Sequence, residues 1–321
     1  MSVRALTIVA SLSLLSCSNG ESGQSAPPMT TADVPGIQAT NAFYYYVDVE
    51  AAHDFYGRVL GFETVVDYGF AKIMRVATAS YVTLVDEAEG MHSADEPKSV
   101  TLAIVTEQVE GWYDYLVGQG VEMRGEYNYR EGQPHDGFVA VDPEGYYLEV
   151  ERFNPHEENT RLMPVLDGIE PLGPVGETSR PTELLVQATV LWLYYEDVPG
   201  IEDFWKELLD VDLTVDQGWA KVYQASATGF IGPVDGSRGL HSATEEKAVT
   251  VSFFTEDVAA WLDRAQALGL ELRTPDLTDE SGRVSVFVAY DPEGYFLEWD
   301  TFLDVEGNER LLELMRGAPG G

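Results

Sequence analysis

Two glutamates, Glu149 and Glu298, are the residues whose type and spacing best suit acid–base chemistry. They are separated by 149 positions, and an aromatic residue stands two positions before each of them, Tyr147 and Phe296 respectively. If the carboxyl groups are buried among aromatic rings, their pKa values rise, and such a carboxylate could remove a proton next to a carbonyl group. The alternative is a structural role, in which nearby hydroxyl groups satisfy the carboxylate oxygens.

Two pairs of polar residues recur at the same separation, Lys72 with Lys221 and His92 with His241. A lysine on a strand could hold a carboxylate or phosphate of a ligand, or it could protect a sheet edge from pairing. Each of these histidines lies in a Gly-x-His-Ser-Ala segment, where it could shuttle protons or stabilise the loop by hydrogen bonding. His135 is not repeated and is a weaker candidate.

Aromatic residues alternate along the first predicted strand of each half, and a period of two places them on one face of a sheet. Large rings with a few polar tips are a common lining of small-molecule sites, which predicts a flat, hydrophobic or aromatic ligand. The alternative is that the rings fill the space or an interface between the halves. The two sets are Asn41, Phe43 and Tyr45, and Val190, Trp192 and Tyr194.

The separation of 149 residues reflects an internal repeat that aligns without a gap. DYGFAK at 67–72 recurs as DQGWAK at 216–221, and DPEGY at 142–146 recurs unchanged at 291–295. A repeat of this length indicates duplication of one structural unit. The DPEG segments predict tight turns, because proline fixes φ and glycine accepts a positive φ.

The repeat predicts two domains, at residues 37–154 and 184–304. Between them, residues 155–183 are rich in proline and glycine and predict a linker, and residues 305–321 are interpreted as a C-terminal tail. Within each copy the hydrophobic pattern predicts a strand, a helix and three strands, followed by the same series again.

The N-terminal segment predicts export. Residues 1–17 contain an apolar run at 5–15, too short to span a membrane but typical of a signal peptide. The closing Leu-Leu-Ser-Cys resembles a bacterial lipobox, which implies lipidation of Cys17 and a lipoprotein anchored in the outer membrane, facing the periplasm or cell surface. An ordinary signal peptide is the alternative. Residues 18–36 are then interpreted as a flexible tether.

Charge and cysteine content exclude several classes of function. Lys and Arg total 19 against 55 Asp and Glu, so the formal charge is −36. Such a charge opposes binding to nucleic acid and to anionic membrane surfaces through the protein body. Because Cys17 is the single cysteine, intramolecular disulfides and cysteine-based zinc clusters are excluded.

The motifs together resemble the vicinal oxygen chelate (glyoxalase/bleomycin resistance/dioxygenase) superfamily. The resemblance rests on Phe55-Tyr56 and DPEGYYLE at 142–149, with their counterparts Phe204-Trp205 and DPEGYFLE at 291–298. It covers almost all of 41–153 and 190–302. It implies an α+β fold of paired βαβββ modules, whose curved mixed sheets surround clefts.

Many members of that superfamily bind a divalent metal in the cleft, and the resemblance places the ligand positions in this chain. Only the last position retains a usual ligand in both copies, so no metal cofactor is expected. If a cation binds, Glu149 and Glu298 would suit a hard divalent ion. The positions are Asn41 and Val190, Thr83 and Gly232, Thr101 and Thr250, and Glu149 and Glu298.

The leading hypothesis is metal-independent binding or sequestration of a small hydrophobic or aromatic molecule, similar to bleomycin-resistance proteins. One alternative is a glyoxalase-like lyase or isomerase, or a dioxygenase-related enzyme, that uses Glu149 or Glu298 with a divalent cation. A non-catalytic surface scaffold is another. Whether the two copies share a cleft stays open at this point.

Overall fold

The strands of the protein form two mixed sheets in a computed structural model that describes residues 34–317. The predicted signal peptide, Cys17 and most of the predicted tether lie outside the described residues. The first copy supplies β1 Ala39–Tyr46, β2 Glu63–Asp67, β3 Ala71–Ala77, β4 Ser80–Asp86, β5 Val100–Val105, β6 Glu122–Met123, β7 His135–Val141 and β8 Tyr147–Phe153. The second copy supplies β9 Ala188–Tyr195, β10 Leu213–Asp216, β11 Lys221–Gln224, β12 Gly229–Asp235, β13 Val249–Phe254, β14 Glu271–Leu272, β15 Thr278–Glu280, β16 Val284–Tyr290 and β17 Phe296–Phe302.

Helices connect the strands, and aspartate side chains cap several of their first turns. Asp48 accepts a hydrogen bond from the Ala51 N–H at 3.0 Å, which satisfies one of the free donors at the start of a helix. The helices are α1 Val49–Asp54, which continues as a π-helical turn over Phe55–Val59, α2 Val109–Gly118, α3 Leu162–Asp167, α4 Val198–Leu209, α5 Val258–Leu268 and α6 Glu309–Gly317. Short 3₁₀ turns cover Glu87–Glu89 and Glu157–Asn159.

Each sheet is built from one half of each copy. Sheet A has the order β14-β16-β17-β13-β1-β4-β3-β2, with β15 also paired to β16, and sheet B has the order β10-β11-β12-β9-β5-β8-β7-β6. The copies meet where β1 pairs antiparallel with β13 in sheet A and where β5 pairs antiparallel with β9 in sheet B. The predicted α+β fold of paired βαβββ modules is confirmed, and each cleft is shared between the copies.

One face of each sheet packs on helices around a continuous apolar core. Strand alternation directs Tyr44, Tyr195 and Trp299 to this face, where Trp112 and Trp205 from α2 and α4 join them. All five side chains are almost completely buried. Burial of such large rings accounts for much of the hydrophobic stabilisation of the fold. The opposite faces of the strands are left to form the clefts.

The DPEG turns tie the two modules of each copy together. The Asp142 side chain accepts hydrogen bonds from the Glu144 and Tyr146 N–H groups at 3.0 and 2.8 Å, while Gly145 has a φ of 97°. The Tyr46 hydroxyl donates to the same carboxylate at 2.6 Å. Asp291 and Tyr195 repeat this arrangement at 2.8 Å. These turns are therefore structural, as the sequence predicts.

Helices also occur in the segments predicted as linker and tail. Leu162 and Leu166 of α3 pack against the cleft side of sheet B, and Leu311 and Met315 of α6 do the same on sheet A. Buried asparagines hold the preceding turns, as where the Asn308 side-chain amide donates to two backbone carbonyls at 2.9 and 3.0 Å. The duplicated unit thus extends through these helices, whose apolar residues cover part of each concave face.

Candidate ligand-binding clefts

Sheet B surrounds a cavity of about 200 Å³ that both copies line. The first copy contributes side chains from β7 and β8, and the second contributes the aromatic face of β9 and the loops before β11 and after β12. We call this space cleft B. The side chains that matter for its chemistry are His135, Glu149, Glu151, Trp192, Trp219 and Arg238.

Glu149 and Glu151 form a carboxyl pair in cleft B, because residues two apart on β8 face the same side of the sheet. Burial raises the pKa of Glu149 to about 7. Burial, together with the Glu149 charge, raises the pKa of Glu151 well above its ordinary value. At neutral pH the pair therefore holds at least one proton, so it can both donate and accept hydrogen bonds.

Sheet A surrounds the equivalent cleft A, with two adjoining cavities of about 110 and 340 Å³ that share Phe43, Phe70, Glu280 and Glu298 among their lining. Glu298 and Asp300 occupy the places that Glu149 and Glu151 hold in sheet B. Burial, followed by the Asp300 charge, raises the pKa of Glu298, and burial raises that of Asp300 to about 7.

The floor of cleft A is more polar than that of cleft B. The Ser252 hydroxyl donates to Asp300 at 2.6 Å, and the Thr83 hydroxyl donates to the Asn41 side-chain carbonyl at 2.9 Å. The buried Asn41 amide nitrogen has no hydrogen-bond partner among the described residues. Asn41 pairs with Ser252 across the sheet, and Ser252 pairs with Glu298.

The second acid of each pair was missed by the sequence reasoning, which singled out only Glu149 and Glu298. Two signals could have found it, since the offset of 149 relates Glu151 to Asp300 and a period of two puts each beside its partner. Ser252 was missed as well, because the fifth-strand position was set two residues earlier, at Thr250. In the structure, Ser252 is level with the glutamate.

The predicted aromatic residues surround the polar groups, and the hydroxyl groups of two tyrosines among them are hydrogen-bonded. The Tyr45 hydroxyl lies 2.7 Å from the Thr250 hydroxyl, and the Tyr194 hydroxyl lies 2.8 Å from that of Thr101. Two of the three threonines that the resemblance places at ligand positions, Thr101 and Thr250, therefore hydrogen-bond to a tyrosine. Trp192 lies against the backbone of Gly232, where an added Cβ would come within 2.2 Å of the indole ring.

His92 and His241 pack on rings contributed by the other copy. Tyr147 stacks on His241 with ring centres 4.3 Å apart, and His92 lies at the same distance from Phe296. Burial lowers the pKa of both histidines, that of His241 to about 4, which favours neutral rings at pH 7. His92 also contacts Glu96, with its Nδ1 2.7 Å from a carboxylate oxygen.

Lys72 and Lys221 lie in ion pairs rather than among the cavity-lining residues. Lys72 Nζ is 3.1 Å from Glu50 and 3.0 Å from Asp67. Lys221 Nζ is 2.7 Å from Asp216 and 3.1 Å from Glu202. Lys72 therefore connects α1 to the β2–β3 hairpin, and Lys221 connects α4 to the β10–β11 hairpin.

The donor sets do not fit a divalent transition metal. Within residues 34–317, no three His, Cys, Asp or Glu side chains come together in a way that could hold a metal ion. Val190 and Gly232 offer no donor to cleft B, and transition metals favour imidazole or several anionic ligands. Glu149 and Glu298 line different clefts, so they cannot complete a shared site.

Comparison with known proteins supports the fold described above. Residues 38–150 match the family model described as Glyoxalase/Bleomycin resistance protein/Dioxygenase superfamily. This match covers the first copy, and the repeat and the paired sheets extend the same fold to the second. A search of curated proteins found no match.

Solved structures with the same fold cover nearly the whole chain. Glyoxalase I from Zea mays is 14% identical with a TM-score of 0.55, over 88% of this chain and 96% of that one. A putative dioxygenase from Bacillus subtilis subsp. subtilis str. 168 is 13% identical with a TM-score of 0.55, over 84% and 86% respectively. Identities this low establish the fold alone.

Among the described residues, no helix has the length and apolar character needed to cross a membrane.

Proposed function

We propose that the protein binds small planar molecules in its clefts and requires no metal to do so. One observation carries the proposal for cleft B. Within residues 34–317, three buried polar atoms of its lining lack a well-formed hydrogen bond, namely His135 Nδ1, Glu151 Oε1 and Trp192 Nε1, although the Trp192 indole lies close enough to the Glu151 carboxyl to lower its pKa. Buried polar groups are normally paired, because leaving one unpaired costs about 1–3 kcal/mol.

The shape and chemistry of cleft B favour a flat ligand. Trp192 and Trp219 offer ring faces, while the indole N–H and the Glu149/Glu151 pair offer hydrogen bonds at defined places. An apolar lining with a few convergent polar groups is the usual composition of a small-molecule site. A bound molecule with one donor and one acceptor would satisfy groups that the protein leaves unpaired.

The binding test is a ligand-observed NMR screen of single-ring aromatic compounds against residues 34–321, followed by titration of the hits. For a cleft B ligand, Glu151→Gln should weaken binding about tenfold, because it alters the carboxyl pair that faces the ligand. Asp300→Asn replaces the equivalent carboxyl group of cleft A by an amide and should leave the affinity for the cleft B ligand unchanged. No hits with the folded protein, or hits that neither substitution affects, would contradict the proposal.

We further propose that this binding takes place at the outer membrane, where lipid on Cys17 would hold the chain. The support is the lipobox-like Leu-Leu-Ser-Cys at 14–17, with a run of Ser, Gly and Pro after it. In a Gram-negative host, Cys17→Ala should move the protein from the membrane fraction to the soluble fraction, and radiolabelled palmitate should mark only the parent chain. Label on the Cys17→Ala variant would contradict lipidation at this cysteine.

A second candidate function is acid–base catalysis by Glu149, as in a lyase or isomerase. The observation in its favour is the position of Glu149 in the lining of cleft B beside Glu151, where burial raises its pKa to about 7, a value that suits a general base at neutral pH. Exchange of the proton next to a ligand carbonyl for deuterium, followed by NMR, would detect it. If Glu149→Gln abolishes the exchange and the ligand still binds, the protein is a catalyst. If the ligand binds to the parent chain without any exchange, the protein only binds it.

The same samples decide whether a divalent cation takes part. Protein purified without chelator should contain far less than one equivalent of metal, and Mg²⁺ or Ca²⁺ should not raise its melting temperature. A cation that binds only the folded state would raise that temperature by mass action. Near-stoichiometric metal would instead support the cation-dependent enzyme. So would a rise in melting temperature with Mg²⁺ or Ca²⁺ that Glu149→Gln or Glu298→Gln removes.

A further inference from the structure

Four arginines lie on aromatic rings around the two clefts, and none of them forms a salt bridge within the part of the chain that the structure describes. Their guanidinium carbons lie 4.8 to 5.2 Å from the ring centres. None forms a salt bridge or a side-chain hydrogen bond within residues 34–317, although the sequence contains 55 Asp and Glu. The pairs are Arg124 on Tyr147, Arg238 on Trp219, Arg273 on Phe296 and Arg283 on Tyr68.

Stacking fixes a guanidinium without using its donors. An arginine that lies flat on a ring keeps its N–H groups at the edge, in the fork that matches the two oxygens of a carboxylate. In a chain of net charge −36, four arginines that form no salt bridge among the described residues are unexpected on electrostatic grounds alone. Their positions beside the clefts suggest that the acidic partner is a ligand.

The two clefts differ in charge at one equivalent position. Arg238 lines cleft B, and the repeat relates it to Glu89, which lines cleft A. Cleft A also has Glu280 in its lining, close to Glu298 and Asp300. In cleft B the repeat counterpart of Glu280, Glu131, is not among the lining residues. Arg273 and Arg283 also line cleft A, but that cleft has four acids, Glu89, Glu280, Glu298 and Asp300, whereas cleft B has Arg238 and two acids. The excess of acids is smaller in cleft B, which is therefore the less repulsive site for an anion.

We infer that cleft B selects a planar, single-ring carboxylate, a specificity that rests on the proposed binding function. Arg238, which lies on Trp219, binds the carboxylate at the mouth, and Arg124, on Tyr147, adds to the positive potential. The ring lies against Trp192. A hydroxyl group at the far end of the ligand donates to the unpaired oxygen of Glu151.

The size of the cavity agrees with one ring. Cleft B encloses about 200 Å³, whereas an engineered apolar cavity of about 150 Å³ is known to hold a benzene molecule. A ring with two short polar substituents therefore fills the space, and a fused polycyclic ligand would extend out of the cavity into solvent.

The test compares three ligands of one shape and different charge, 4-hydroxybenzoate, 4-hydroxybenzamide and 4-hydroxybenzylamine, by calorimetric titration at pH 7.5. The carboxylate should bind at least tenfold more tightly than the amide and more tightly still than the amine. Arg238→Glu should remove this preference while the amide affinity changes less than threefold. Arg273→Glu makes the same charge change beside cleft A and should leave all three affinities unaltered.

Each other outcome overturns a definite part of the inference. Equal affinities for the three ligands, or a preference that survives Arg238→Glu, would show that charge does not select the ligand, yet would leave the proposed binding function intact. A preference lost in Arg273→Glu instead would place the anion in cleft A. No binding of any of the three by a folded protein would overturn the ligand class, and only a failed aromatic screen would also overturn the binding function.

Discussion

At the scale of single residues, the most informative groups are acids buried side by side in pairs. The sequence predicted one member of each pair, Glu149 and Glu298, because each follows a recognisable turn motif. It did not predict that Glu151 and Asp300 lie on the same strand faces as these glutamates. In an acidic chain, one further carboxylate does not stand out as a candidate site residue. Their environment depends on which strands cover them, and this is a tertiary property.

Replacement of Asp300 tests the energetic cost of this arrangement. The pKa of Asp300 is raised in the folded state. The carboxyl group therefore makes its full contribution to the free energy of unfolding below about pH 4, and this contribution is lost as the pH rises through about 7. The change in the free energy of unfolding that Asp300→Asn causes, measured against the parent chain, should therefore be more favourable at pH 8 than at pH 5 by on the order of 2 kcal/mol. Urea denaturation at the two pH values measures the difference.

The control for this prediction is Asp304→Asn, which removes an exposed carboxylate a few residues further along the chain. It should change stability by less than about 0.5 kcal/mol at either pH. If Asp300→Asn destabilises the protein equally at pH 5 and pH 8, the carboxyl group is ionised in the folded state at both values.

At the scale of elements, the aromatic first strand of each copy and the helix that follows it, α1 or α4, were predictable, because hydrophobic periodicity is a strong local signal. The helices α3 and α6 were not predicted. α3 has only six residues within a segment rich in proline and glycine, and α6 belongs to a segment read as a tail. Both are stabilised by packing on a sheet, which local sequence does not reveal.

The contribution of α6 can be measured with one substitution. Leu311 is fully buried against the cleft side of sheet A, so Leu311→Ala should lower the free energy of unfolding by about 2–5 kcal/mol. Glu313→Ala, on the exposed side of the same helix, should change it by less than about 0.5 kcal/mol. Equal effects of the two substitutions in chemical denaturation would show that α6 does not pack as described.

At the scale of the whole molecule, the repeat could be predicted from sequence, but the exchange of modules between copies could not. Sequence similarity shows that β1 is equivalent to β9 and β5 to β13, whereas in the structure β1 pairs with β13 and β5 pairs with β9. Each sheet therefore joins the first module of one copy to the second module of the other. Two independent domains would satisfy the same hydrophobic pattern. The distinction is made only by tertiary contacts.

A protease site inserted in the exposed segment at Gly176 separates these possibilities. Because each sheet contains strands of both copies, the two fragments should stay associated after cleavage and elute together in size-exclusion chromatography at micromolar concentration. An uncleaved sample with the same insertion is the control. Fragments that separate without denaturant would show that each copy folds alone.

The exchange of modules within a single chain also removes a constraint on divergence. In an assembly of two identical chains, every substitution would enter both clefts at once. Here a change such as that between Glu89 and Arg238 alters one cleft and leaves the other as it was. The covalent joining of the copies therefore lets one molecule present two unlike recognition surfaces, held at a fixed ratio of one to one.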